Sequence, residues 1–67
     1  MNKQAKEALE IAIIAEEGHR WIDIIEAYQI VIQKNYQAAD IEKTNAFKNK
    51  LNKLKEIYKK IIYDSNQ

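Results

Sequence analysis

The sequence predicts an all-α fold, a small antiparallel three-helix bundle with helices over about residues 3–17, 20–37 and 45–63 in a single helical domain, 1–67. Three observations predict it. Ala, Leu, Ile, Lys, Glu and Gln dominate, proline is absent, glycine occurs once, and no Asn-Gly or Asp-Gly pair is present to turn a β-hairpin. Apolar residues recur at intervals of three and four in three blocks, the period of a helix face. Between the last two blocks, the stretch from Asn35 to Asn45 gathers Asn35, Asp40, Thr44 and Asn45, whose side chains compete for backbone hydrogen bonds. A chain of this length buries only about 60% of the surface it exposes when unfolded. With no cysteine to cross-link it, stability must come from helix packing or from association with other chains.

The first helix is expected from about Lys3, with Ala5, Ala8, Leu9, Ala12 and Ile13 on one stripe and Lys6, Glu7 and Glu10 largely off it. Ile11, Ile14 and Ala15 widen the apolar surface towards its end, as a helix touching two neighbours would need. Gly18 is the expected break, because glycine costs a helix interior roughly 1 kcal/mol relative to alanine and is common just past a helix end. The second helix carries Trp21, Ile24, Ile25, Tyr28, Val31 and Ile32 on one face, with Asp23, Glu26 and Gln29 on the other. An alternative also fits the pattern. No Ser, Thr, Asp or Asn stands before Ile22 to cap a new helix, and Ile11, Ile14, Gly18, Trp21, Ile25, Tyr28 and Ile32 continue a three-four repeat through the glycine. A helix unbroken from Lys3 to about Tyr36 would form a long hairpin, two copies of which make a dimeric four-helix bundle.

The third helix is the most regular amphipathic segment. Thr44 or Asn45 is the expected cap, and Phe47, Leu51, Leu54, Tyr58 and Ile61 follow spacings of four and three, joined by Ile57 and Ile62. Asp64 to Gln67 offers no apolar anchor and is expected to fray. Charge divides unevenly along the chain. Residues 1–42 hold eight acidic and four basic side chains (−4) and residues 43–67 hold seven lysines against Glu56 and Asp64 (+5), which together give the net +1. Either the acidic part packs beside the basic helix, or the basic helix awaits an acidic ligand.

These residues argue against several functions. The longest uninterrupted apolar run, Ile11 to Ala15, is far short of the roughly 20 residues needed to span a bilayer, so no membrane insertion is expected. The N-terminus runs into alternating charge and lacks the apolar core of a secretory signal, which makes the cytoplasm the default location. Hydroxyl groups are limited to Thr44, Ser65 and four tyrosines, the single histidine lies in a different element from either, and no glycine-rich loop is present to cradle phosphate. A non-enzymatic protein with no cofactor is expected. Glu16 and His19 have the Glu-x-x-His spacing of di-iron bundles, but one histidine cannot complete such a site within a single copy, so no metal is expected. Nucleic acid is disfavoured because the lysine-rich third helix holds no arginine to read base edges.

The second helix and its approach resemble the microtubule-interacting and trafficking domain, a three-helix module of the ATPases that disassemble ESCRT filaments. Trp21 stands at that family's aromatic position, Ile24-Ile25 at its Ala-Leu pair, Tyr28 at its tyrosine and Val31-Ile32 at its later apolar pair. Ala12 and Glu16-Glu17-Gly18 look like its approach to that helix, and Lys48 to Ile62 resemble its third helix in position, length and lysine content. Tetratricopeptide-like helical hairpins share much of this pattern. The chain departs from the family at Ile24, where a small alanine is usual, at Gly18, one position early, and at Tyr58-Lys59-Lys60, where Arg-Ala-Glu is common. The resemblance implies a protein-interaction module that binds an amphipathic peptide motif between the second and third helices, as in ESCRT-III recruitment. Leu51, Leu54 and Tyr58 would line the groove, and Lys48, Lys55 and Lys59 would receive acidic side chains. The competing expectation is a small self-associating bacterial or phage protein, a homodimer acting as an inhibitor or structural adaptor.

Overall fold

Asn2 starts the first helix. In the computed structural model, which describes residues 1–65, its side-chain oxygen accepts from the Ala5 N–H at 2.7 Å and α1 runs Lys3–Glu17, as an N-cap does. α2 spans Trp21–Gln37 and α3 spans Ile41–Ser65, with no strand among the described residues. The fold is an all-α three-helix bundle. Asn66 and Gln67, expected to fray, lie outside the described residues, and Asp64 and Ser65 belong to α3.

The chain breaks where the glycine predicts, but not through the glycine's own conformation. Gly18 has φ −88° and ψ 2°, open to any residue, whereas His19 takes the left-handed conformation at φ 54°. The His19 N–H bonds to the Glu16 carbonyl at 3.1 Å and the Arg20 N–H to the Ala15 carbonyl at 3.0 Å. That pair of bonds is a Schellman ending, with His19 in the seat usually held by glycine. The second junction repeats it. Ala39 sits at φ 59°, its N–H bonds to Tyr36 at 3.0 Å, and the Asp40 N–H bonds to Asn35 at 2.9 Å. These turns exclude the unbroken helix from Lys3 to Tyr36. They also place a strained residue at each corner, since a side chain in the left-handed region costs roughly 1–2 kcal/mol.

His19→Gly and Ala39→Gly are therefore expected to raise stability by about 0.5–1 kcal/mol each, the relief of strain exceeding glycine's added entropy in the unfolded chain. Gly18→Ala is expected to be stabilising too, by about 0.4–1 kcal/mol, because a Cβ there meets nothing nearer than 3.7 Å. Urea titrations followed by circular dichroism check all three.

The third helix begins four residues earlier than the expected 45. The reason is Asp40, whose carboxylate accepts from the Lys43 N–H at 3.1 Å and caps α3 directly after the turn. Thr44 and Asn45, the expected caps, lie within the helix. Thr44 is buried and its hydroxyl donates to the Asp40 carbonyl at 2.7 Å. Asn35, within the expected second helix, is fully buried near the end of α2, with its Nδ2 donating to the Val31 carbonyl at 3.0 Å.

α2 occupies the middle. α1 and α3 each pack on it and their backbones do not touch, so the bundle is open and thin, 43 × 20 × 12 Å. Against α2, α1 presents a stripe of small residues, Ala5, Ala8, Ala12 and Ala15, all buried, and Ala27 meets them from α2. Small side chains at this spacing let two helix backbones approach closely. The α2–α3 side is filled by larger groups. Trp21 stacks on Tyr58 with ring centroids 5.9 Å apart, and Tyr28 tilts against Phe47 at 6.2 Å, around buried Leu51 and half-buried Leu54. The broad apolar surface of α1 does not reach a second neighbour. Ile11, Ile13 and Ile14 are 57%, 44% and 59% exposed.

Candidate interaction surface

Tyr28 anchors the place where the three helices converge. Its ring is fully buried, its hydroxyl donates to Glu16 Oε1 of α1 at 2.6 Å, and the Lys50 ammonium of α3 stands 5.4 Å from its ring centre. Lys50 also approaches Glu16 at 3.9 Å. Burial, then the hydrogen bond to Glu16, pushes the Tyr28 phenol up. The Tyr28 phenol raises Lys50 in turn, against the opposing effect of partial burial. A buried aromatic, a carboxylate and an ammonium from three helices thus bridge the open side of the bundle.

Lys50 fixes the orientation of α3, because it reaches towards α1. Lys48, Lys55 and Lys59 fall two back, five on and nine on from it, about half a turn round the helix, and so occupy the flank away from α1. They are neighbours on one stripe. Ile41, Lys48, Lys55 and Ile62 recur there every seven residues, with Ile41 and Ile62 58% and 41% exposed. On α2, Ala27 marks the side facing α1, and Ile22, Ile25, Ile32 and Tyr36 lie about half a turn from it, beside the lysine flank. Ile25 and Ile32 are half-buried, while Ile22 and Tyr36 are exposed. The α2–α3 surface thus sets half-buried Ile25 and Ile32 and exposed Ile22 and Tyr36 of α2 beside an α3 stripe on which exposed isoleucines alternate with ammonium groups.

The six residues expected to line a single groove are not brought together. The structure unites Lys48, Lys55 and Lys59. Leu51 is buried in the core, Tyr58 is half-buried against Trp21, and Leu54, four residues after Lys50, faces the α1 side. Sequence reasoning missed the apolar members that do adjoin the lysines, Ile22, Tyr36, Ile41 and Ile62. The seven-residue spacing of Ile41 and Ile62 with Lys48 and Lys55 is the signal that finds two of them.

The two halves of the chain neutralise each other only slightly. Among the described residues, ion pairs form between Lys50 and Glu16 and between Arg20 and Asp23 at 3.5 Å. The other lysines of α3 have no acidic partner within that range. A concavity of about 380 Å³ lies between α1 and α2, lined by Gln4, Glu7, Ala8 and Ile11 on α1 and by Asp23, Glu26, Ala27 and Ile30 on α2, with Arg20 at one end. Glu16 and His19 do not share a helix face, since Glu16 is bonded to Tyr28 and His19 lies beyond the end of α1. No cluster of three metal-ligating side chains and no helix long and apolar enough to cross a membrane occurs among the described residues.

No family model, no curated protein and no solved structure matches the chain.

Proposed function

We propose that this chain is a non-enzymatic protein-interaction module that binds an acidic amphipathic segment of another protein along α2 and α3, in the manner of microtubule-interacting and trafficking domains recruiting ESCRT-III-like filament subunits. The observation that carries this reading is the row of Lys48, Lys55 and Lys59, none of them ion-paired to a carboxylate among the described residues, beside exposed Ile22, Tyr36, Ile41 and Ile62. An amphipathic helix can lay apolar anchors at intervals of three and four along such a surface and set its flanking charges against the lysines. Each exposed ion pair contributes about 0–1 kcal/mol. Affinity therefore rests on the apolar contacts, while the lysines set partner choice and association rate.

The test is fluorescence anisotropy of a labelled synthetic peptide with leucines at three-four spacing flanked by glutamates. Binding is expected to weaken at least tenfold, about 1.4 kcal/mol, when Lys48, Lys55 and Lys59 are all changed to Glu, and to weaken with added salt. Equal binding of the wild-type and triple-variant proteins would overturn the reading.

A further inference from the structure

α3 is much longer than the helix it packs against. Its 25 residues run antiparallel to the 17 of α2, and the Trp21–Tyr58 stack sets the first residue of α2 level with Tyr58. From Lys59 to Asp64 the helix extends past α2 with every residue exposed. One exposed arc of α3 leading into this end is amphipathic. Ile57 and Ile61 lie one turn apart at 49% and 41% exposure, and Lys53 and Lys60 flank them on the same arc together with Asp64.

The α1–α2 concavity has the complementary character. Its apolar floor comprises Ala8, Ile11, Ala27 and Ile30, with Ile11 and Ile30 57% and 46% exposed. Glu7, Asp23 and Glu26 rim it against Arg20 alone, three negative charges less one positive, and Arg20 is already paired with Asp23. The lengths agree as well. From Gln4 to Ile11 and from Ile57 to Asp64 are each two helical turns, about 10 Å. The free end cannot fold back into this groove within one copy, since α3 packs on the other side of α2.

We infer that the α1–α2 groove receives the C-terminal turns of α3 from a second copy of this chain, with Ile57 and Ile61 on the apolar floor and Lys60 facing the Glu7–Glu26 rim. The surface lies on the opposite flank of α2 from the one proposed for the peptide, so either can fail without the other. Association of this kind also gives a small domain the buried area that it lacks alone.

Sedimentation across a range of concentrations tests it. The mean mass is expected to rise above the 7.9 kDa of one chain as concentration increases, and to stay at that value for Ile61→Asp and for Ile11→Lys. Both positions are exposed, and circular dichroism verifies that the helices remain. Glu26→Lys and Lys60→Glu are each expected to associate weakly alone and to recover wild-type association when mixed, because the mixture restores opposite charges at every contact. A wild-type protein that stays at 7.9 kDa at millimolar concentration, variants that associate like wild type, or a mixture that recovers nothing would each overturn the inference. Lys48→Glu, on the other flank, is expected to leave the mass unchanged.

Discussion

Tyr28→Ala is expected to unfold much of the protein at 25 °C. Removing a fully buried aromatic ring typically costs about 3–5 kcal/mol, because the lost burial is joined by a cavity that the surroundings fill only in part. A domain of this length has only about 3–10 kcal/mol in total. Tyr28 also joins all three helices, so its loss frees Glu16 and Lys50 together. Tyr28→Phe isolates the hydroxyl. The ring stays and Glu16 turns to water, so the loss is expected to be about 1 kcal/mol. The same residue predicts an alkaline limit. Tyr28 and Lys50 both bind their protons more tightly when folded than when unfolded, so their contribution is intact below about pH 10 and is lost as pH climbs through the raised values. Urea midpoints measured from neutral to alkaline pH are expected to fall above about pH 10, less steeply for Tyr28→Phe. A Tyr28→Ala protein as stable as wild type would remove Tyr28 from the centre of the fold.

Ala12→Leu is expected to cost about 1–3 kcal/mol, the usual penalty for extra methylenes in a filled site. Ala12 has no exposed surface and lies in the alanine stripe that seats α1 against α2. Leucine is nearly as good a helix former as alanine, so the loss would come from packing. Forcing α1 outward would also strain the Tyr28–Glu16 hydrogen bond. Ile14→Ala is the control. Ile14 is larger and more apolar than Ala12, yet it is 59% exposed, and its truncation is expected to stay within about 0.5 kcal/mol. Thermal melts of the two variants check the contrast, and an Ala12→Leu protein that melts no lower than wild type would mean that α1 is loosely seated.

This contrast marks how far the fold was legible from sequence. Periodicity located all three helices and the break after Glu17, because apolar spacing and a lone glycine are local signals. It assigned Ile11 and Ile14 to contacts with a second neighbour, because hydrophobicity does not reveal that a helix approaches its partner through alanines. The start of α3 was misplaced for a related reason. Asp40, Thr44 and Asn45 are all competent caps, and only the left-handed turn at Ala39 selects the first. In the candidate surface, the resemblance names Lys48, Lys55 and Lys59, and the structure places these three on one flank of α3. The accompanying apolar residues were drawn from the helix centre, which the core had already claimed in Leu51 and partly in Tyr58. The exposed Ile22 and Tyr36 come from another helix, and only the packing of α2 on α3 puts them beside those lysines.

The most direct test of the account is amide chemical-shift mapping of the nitrogen-labelled protein during titration with the acidic amphipathic peptide. The account predicts that perturbed amides cluster at Lys48, Lys55 and Lys59 on α3 and at Ile22, Ile25 and Tyr36 on α2, with α1 little changed. Perturbations confined to α1 and the Glu7–Glu26 rim, or none at saturating peptide, would contradict it.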